Sequence, residues 1–242
     1  MAFLAQSNPE NYWTKPEVEA ILTTAKKLYD TPRTRRIGIG GLVIDPADNG
    51  ETYILFKWLW LSGRRLCEVI GTDVTYGKTL KKRHKKTWVL PGLTVGDINF
   101  DDCKVSYRIE KKKKPVLVSF IAPSTFLLEV ANFLDKKGIL NNKEAKIFTL
   151  SKRTYQNRIM TCLEQAAFTG KDGELQSVKW GPIGIGRRQS IHTFRHSFIN
   201  FARRVLDVSE LKYAAQHSSA DITLSYAHPD EKFSEKLYTE ML

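Results

Sequence analysis

From Glu51 to Leu61 the chain reads Glu-Thr-Tyr-Ile-Leu-Phe-Lys-Trp-Leu-Trp-Leu, apolar almost all the way around a helical wheel. A helix without a polar face has to be covered on every side, so this segment predicts a buried helix with other elements packed around it. Its apolar part, Tyr53 to Leu61, is interrupted by Lys57 and is far shorter than the roughly 20 residues that cross a bilayer. No cationic start followed by a sustained apolar stretch stands at Met1 to Gln6, so no signal peptide is expected. The expectation is a soluble, cytoplasmic protein of 242 residues, long enough for one large or two small domains with a sizeable core.

Around that segment the patterns alternate between helix and strand. Residues 1 to 11 are polar and read as a flexible tail. Thr14 and Glu17 form a capping box for a helix whose stripe is Val18, Ile21, Leu22, Ala25 and Leu28. A second helical region is expected to lead into Leu42-Val43-Ile44, ended by Asp45-Pro46 and the turn Asp48-Asn49-Gly50. Ile98 to Phe120 alternates and predicts a small antiparallel sheet whose hairpin carries Lys111, Lys112, Lys113 and Lys114. A helix is expected over Ser124 to Lys137, with Ser124 as cap, Leu127, Leu128, Ala131 and Leu134 inward and Gly138 as terminator. Another is expected from Ser151 to Phe168, with Tyr155, Ile159, Cys162, Leu163 and Ala166 inward. Gly170 to Gly186 reads as a loop or short hairpin; helices resume near Thr193, and Asp230 to Met241 closes the chain with Phe233, Leu237, Tyr238 and Met241 on one face. The fold class is mainly α with a small antiparallel β-sheet, α+β, and no internal repeat is present.

The formal net charge is +12, and the excess is clustered. Lys78, Lys81, Lys82, Arg83, His84, Lys85 and Lys86 form a run with no acid inside it, and four lysines sit together on the expected hairpin. Clustered cations point to a polyanionic partner, and the absence of a spanning segment argues against a membrane. Cys67, Cys103 and Cys162 lie far apart without a Cys-x-x-Cys pair, so neither a zinc site nor a disulfide framework is expected and they read as reduced core thiols.

The chemistry-bearing residues fall in order along the chain. Arg65 stands in Gly63-Arg64-Arg65-Leu66-Cys67-Glu68, with its acid three residues on and on the same helical face. His192-Thr193-Phe194-Arg195 follows, then His217, then Tyr226. A phenol can attack phosphorus, guanidinium forks match two phosphoryl oxygens, and imidazoles donate hydrogen bonds or move a proton. Such a set cleaves a phosphodiester without a metal.

The set, with Gly-x-Arg-x-x-Glu around Arg65 and His217-Ser-Ser-Ala-Asp-Ile-Thr-Leu-Ser-Tyr226 at its end, resembles the tyrosine recombinases of the phage-integrase family from about Tyr12 onward. The resemblance implies the catalytic-domain fold of that family over residues 12 to 242. It implies Tyr226 as nucleophile, Arg65 and Arg195 as phosphate clamp, and His192 and His217 as donors to the phosphate, His192 also taking part in proton transfer. Glu68 and His196 are supporting residues on this view. The family's leaving-group acid is a lysine on a β-hairpin, which falls on Lys111 with Lys112, Lys113 and Lys114 adjacent and the usual turn glycine absent. No cofactor or metal is implied. The partners implied are double-stranded DNA and other copies of the chain in a synaptic tetramer, with the tail helix over about 230 to 241 packed on the next protomer. The setting implied is a prokaryotic cell or its virus or mobile element.

Three departures from the family pattern stand out. About twenty residues, 72 to 92, are inserted where the family runs straight on, and they carry the basic run. Ala215-Gln216 replaces the usual Leu-Gly before His217, which removes a glycine's backbone freedom. The separate N-terminal DNA-binding domain is expected to be absent, which leaves either a catalytic fragment or a minimal recombinase. Two other functions remain open at this stage: a type IB topoisomerase, which uses similar chemistry on one strand, and a non-catalytic DNA-binding derivative.

Overall fold

The computed structural model describes residues 12–30, 33–37, 41–45, 48–71, 90–111, 114–178, 182–183, 187–188, 190–202, 204–206, 210–211, 238–239 and 241. It is a mixed α/β structure with several helices and small antiparallel sheets, divided into two compact units that each draw on two stretches of chain. One unit takes residues 1–63 and 153–201; the other takes 64–152 and 202–242.

The first unit is built around the all-apolar segment. Helix α1 spans Lys15–Tyr29, and the Glu17 carboxylate accepts from the Thr14 backbone N–H at 2.8 Å, the reciprocal half of the capping box. Strands β1 (Arg33–Ile37) and β2 (Gly41–Asp45) pair antiparallel, Ile37 opposite Gly41. This corrects the helix expected there: glycines 38, 40 and 41 each disfavour a helix by about 1 kcal/mol relative to alanine, and Thr34, Ile37, Val43 and Ile44 are β-branched. Helix α2, Glu51–Ser62, is buried at Trp58, Phe56, Leu55 and Leu59, as its pattern requires. Each such side chain contributes about 1.5–3 kcal/mol when taken from water.

A buried helix must also satisfy its first N–H groups, and Asp48 does so here. Its carboxylate accepts from the N–H groups of Gly50 and Thr52, each at 3.0 Å, and is paired with Arg158. The Arg158 guanidinium lies 4.4 Å over the Tyr29 ring, and the Tyr155 hydroxyl donates to the Glu51 carboxylate. Arg158 and Tyr155 both stand on α5, Lys152–Gln165; the helices between, α3 (Leu66–Ile70) and α4 (Ser124–Lys136), belong to the other unit. Helix α5 ends at Gln165 rather than at Phe168, because β6 (Ala167–Thr169) turns back to pair with β7 (Leu175–Ser177). A further short hairpin pairs β8 (Pro182–Ile183) with β9 (Arg187–Arg188), and α6 spans Thr193–Ala202.

In the second unit β3 (Ile98–Asn99), β4 (Lys104–Lys111) and β5 (Lys114–Ile121) form the expected antiparallel sheet in that order. Val105 and Tyr107 are fully buried on its inner face, while the Ser106 and Ser119 hydroxyls meet at 3.1 Å across the strands. The buried stripe of α4 is Phe126, Leu127, Val130, Phe133 and Leu134. Leu128, expected inward, is 64% exposed, and Pro123 rather than Ser124 holds the cap position. The two phenylalanines bury more area than Leu128 and Ala131 and so set the rotation of the helix. Its C-terminus closes at Gly138, φ 68°, where Gly138 N–H donates to Asp135 O at 2.8 Å and Ile139 N–H to Leu134 O at 3.0 Å.

The chain on either side of the segment expected as an insertion comes together. Leu93 N–H donates to Val69 O at 2.8 Å, and a Cβ built on Gly71 would stand 2.9 Å from the Gly92 nitrogen, so the chain leaves and re-enters this unit at one place. Residues 72–89, with Lys78, Lys81, Lys82, Arg83, His84, Lys85 and Lys86, lie outside the described residues. At the other end of the chain Tyr238 and Met241 are helical and buried. The rest of the tail helix expected over about 230 to 241, with Phe233 and Leu237, lies outside the described residues.

Candidate active site

The first unit holds three of the candidate residues at the start of α6. Ser190 and Thr193 make a reciprocal turn, the Ser190 N–H donating to Thr193 Oγ1 at 3.1 Å and the Thr193 N–H to Ser190 O at 2.8 Å. Ser190 Oγ also accepts from the His192 N–H at 3.3 Å, so His192 is set at the mouth of the helix with its side chain exposed. His196 lies one turn on, also exposed, with its ring 5.1 Å from that of His192 and nearly perpendicular to it.

Arg195, between them, turns inward and is 6% exposed. Its Nη1 donates to the carbonyl oxygen of Gly63 at 2.5 Å. Gly63 caps α2 in the left-handed conformation, φ 60°, and its Cα faces the Phe198 ring with no room for a methyl group. The floor under Arg195 is aromatic: Phe194 meets Trp13 edge-on at 5.0 Å and Phe56 at 5.4 Å. Ser197 completes the support, accepting from the Trp13 N–H at 2.8 Å and donating to Thr193 O at 2.9 Å. A guanidinium fixed in this way keeps its charge and its direction together, which is what electrostatic stabilisation of a developing oxyanion needs.

The second unit holds the other arginine. The Glu68 carboxylate accepts from the Arg65 N–H at 2.9 Å and pairs with Arg65 Nη1 at 3.2 Å. Glu68 is buried, whereas half of the Arg65 side chain is in solvent, so the acid acts as a cap for α3 and as an anchor for an outward-facing cation. Between them Cys67 is half-buried; burial pushes its thiol up, Glu68 adds to this, and Arg65 and Lys152 oppose it, which leaves it a protonated and unreactive thiol near neutral pH.

Lys111 ends β4 and pairs with Lys114 at the start of β5. The side chains of Lys111 and Lys114 lie outside the described residues, as do Lys112, Lys113, His217 and Tyr226. Among the described residues no group of three or more His, Cys, Asp or Glu side chains is placed to hold a metal ion. No helix among them is long and apolar enough to cross a membrane.

Sequence reasoning passes over two contributors. One is the Gly63 carbonyl, whose only signal is a glycine that ends an all-apolar run. The other is Arg64, 5% exposed, whose place in the core depends on residues distant in the chain.

No protein-family model matches the sequence, and no curated protein matches it. Among solved structures the chain is similar to the crystal structure of XerA recombinase, with 15% sequence identity and a TM-score of 0.52. The match covers 95% of this chain and 64% of that one, so the chain spans somewhat less than two thirds of the length of the recombinase it resembles. At this identity the likeness is one of fold: a mixed α/β arrangement of the kind found in XerA recombinase.

Proposed function

We propose that the chain is a site-specific tyrosine recombinase that cleaves and rejoins double-stranded DNA through a covalent 3′-phosphotyrosyl intermediate. The observation that carries this reading is the start of α6, where a buried guanidinium anchored on the Gly63 carbonyl stands between two exposed imidazoles one turn apart. The fold likeness to XerA recombinase supports it.

In the proposed reaction the Tyr226 oxygen bonds to phosphorus as the P–O5′ bond breaks. The phenolic proton passes to His192, and the departing 5′-oxygen takes a proton from Lys111 or a neighbour among Lys112 to Lys114. Arg65, Arg195 and His217 hold the non-bridging oxygens, each oriented donor contributing about 3 kcal/mol in the transition state. Glu68 and His196 orient these groups. Attack by a free 5′-hydroxyl reverses the steps, so the phosphodiester bond is conserved and no ATP is consumed. The basic run over 78 to 86 and the hairpin lysines supply phosphate contacts along the duplex, and copies of the chain assemble on paired sites.

A nicked suicide duplex carrying the element's own attachment site tests the reading. The wild-type chain should leave a covalent protein–DNA band on a denaturing gel, and Tyr226→Phe should leave none while binding the duplex almost as well. A band that persists in the variant, or none in the wild type, overturns the proposal.

A further inference from the structure

The residue between Gly63 and Arg65 is itself an arginine, and its environment is the opposite of its neighbour's. Arg64 is buried in the second unit while Arg65 reaches solvent. Desolvating a guanidinium is costly, and an aliphatic side chain would fill the same space more cheaply. The Arg64 guanidinium lies 5.3 Å from the centroid of the Tyr107 ring, a cation–π distance. Tyr107 is fully buried on the inner face of β4 and packs at 5.4 Å on Phe120 of β5, the two strands that bear the lysine tip. A third ring, Tyr238, closes the cluster from the end of the chain. Burial pushes its phenol far above the ordinary range, Tyr107 adds to this, and Arg64 opposes it.

We infer that Arg64 is a positioning residue for DNA cleavage: lying over the Tyr107 ring, it holds the start of α3, and with it Arg65, in register with the hairpin that carries Lys111. The inference rests on the recombinase reading. The step it serves is departure of the 5′-oxygen, which receives the electron pair of the P–O5′ bond and a proton from the hairpin lysine as the Tyr226 oxygen joins phosphorus. Arg65 holds the phosphate and the hairpin holds the proton, so a slip between them strands the leaving group without its acid. The stack is the rigid link between the two, because strand backbone and buried ring move together.

The test compares the full chain with Arg64→Met, Arg64→Lys, Tyr107→Phe and Tyr107→Leu. Each is given a suicide duplex with either oxygen or sulfur at the bridging 5′ position. Arg64→Met should cleave the oxygen substrate about 10- to 100-fold more slowly, part of the roughly 10²–10⁴-fold that a positioned proton donor contributes. It should cleave the sulfur substrate at nearly the wild-type rate, since a thiolate departs without a proton. Tyr107→Leu should behave like Arg64→Met, Tyr107→Phe like wild type because the ring is kept, and Arg64→Lys should fall between. Arg64→Lys and Tyr107→Leu preserve the comparison if Arg64→Met does not fold. Equal losses on both substrates mean that Arg64 only fills the core, and that result overturns the inference, as does an unchanged rate on oxygen. A wild-type chain that cleaves neither substrate overturns the recombinase reading and the inference with it.

Discussion

Replacing Gly63 with alanine concentrates several consequences of the fold on one methyl group. The residue sits at φ 60°, where a side chain costs about 1–2 kcal/mol. The added carbon would lie 2.7 Å from Cε1 and Cγ of Phe198 and nearer still to Cδ1, so the ring or the turn has to give by more than about 1 Å to reach a carbon contact of about 3.5 Å. Phe198 is itself buried, and overpacking of this kind costs about 1–3 kcal/mol. Stiffening of the unfolded chain returns about 0.4–1 kcal/mol. The net is a loss of about 3 kcal/mol, which for a protein of this size lowers Tm by about 6–12 °C. Because the same turn supplies the carbonyl that anchors Arg195, cleavage should fall further than stability alone accounts for, by about 10²-fold for a shift near 1 Å. Thermal melts and covalent-complex rates measure the two effects separately. Repeating the change in a Phe198→Leu background should shrink the stability loss toward the backbone part, about 1 kcal/mol. A Gly63→Ala protein that melts within a degree of wild type, or a loss that does not depend on Phe198, refutes the argument.

The Tyr238 phenol holds its proton more tightly folded than unfolded, so its contribution to stability is full below the unfolded value of about 10 and declines as pH rises above it. Between pH 10 and 11 the wild type should lose about 1 kcal/mol more than Tyr238→Phe in urea titrations, and parallel curves would show that the phenol is not buried. Neutralising Lys81, Lys82, Lys85 and Lys86 should weaken binding to unrelated duplexes alike and flatten the log–log salt dependence by about one unit per lost phosphate contact; an unaltered slope would make the run a solvated surface. Lys111→Ala should slow cleavage of the oxygen substrate and be rescued by bridging sulfur, and rescue seen only at Lys112, Lys113 or Lys114 would move the acid along the hairpin.

What could be read from the residues alone was whatever depends on near neighbours. The Thr14–Glu17 box, the all-apolar α2, the β4–β5 hairpin and the Gly138 stop are each encoded within a few positions, and each appears in the structure. The errors share a different origin. The apolar residues around the β1–β2 pair suit a helix as well as a strand, and it is the glycines at 38, 40 and 41 that decide against the helix. The face of α4 was placed on Leu128 instead of Phe126 and Phe133, because leucines alone made a plausible stripe and only tertiary packing distinguishes the two rotations. At the candidate site, residue types and order were legible in His192, Arg195, Arg65 and Glu68, but their environments were not. That Arg64 is buried and Arg65 exposed depends on Tyr107 and Tyr238, more than forty and more than a hundred and seventy positions away.

The close approach of Gly71 and Gly92 sets a short span that any stretch of chain between them has to close. The chain at Gly71 and at Gly92 comes together, bridged by the Leu93–Val69 hydrogen bond. Loop-closure entropy changes only slowly with length: trimming twenty residues to four alters it by about 1.4 kcal/mol, in the stabilising direction. A shorter or longer stretch can close the same span, so the length of the polycation is open to change at little entropic cost. Change of that kind would alter the charge available to a polyanion without altering the sequence of α3 or α6.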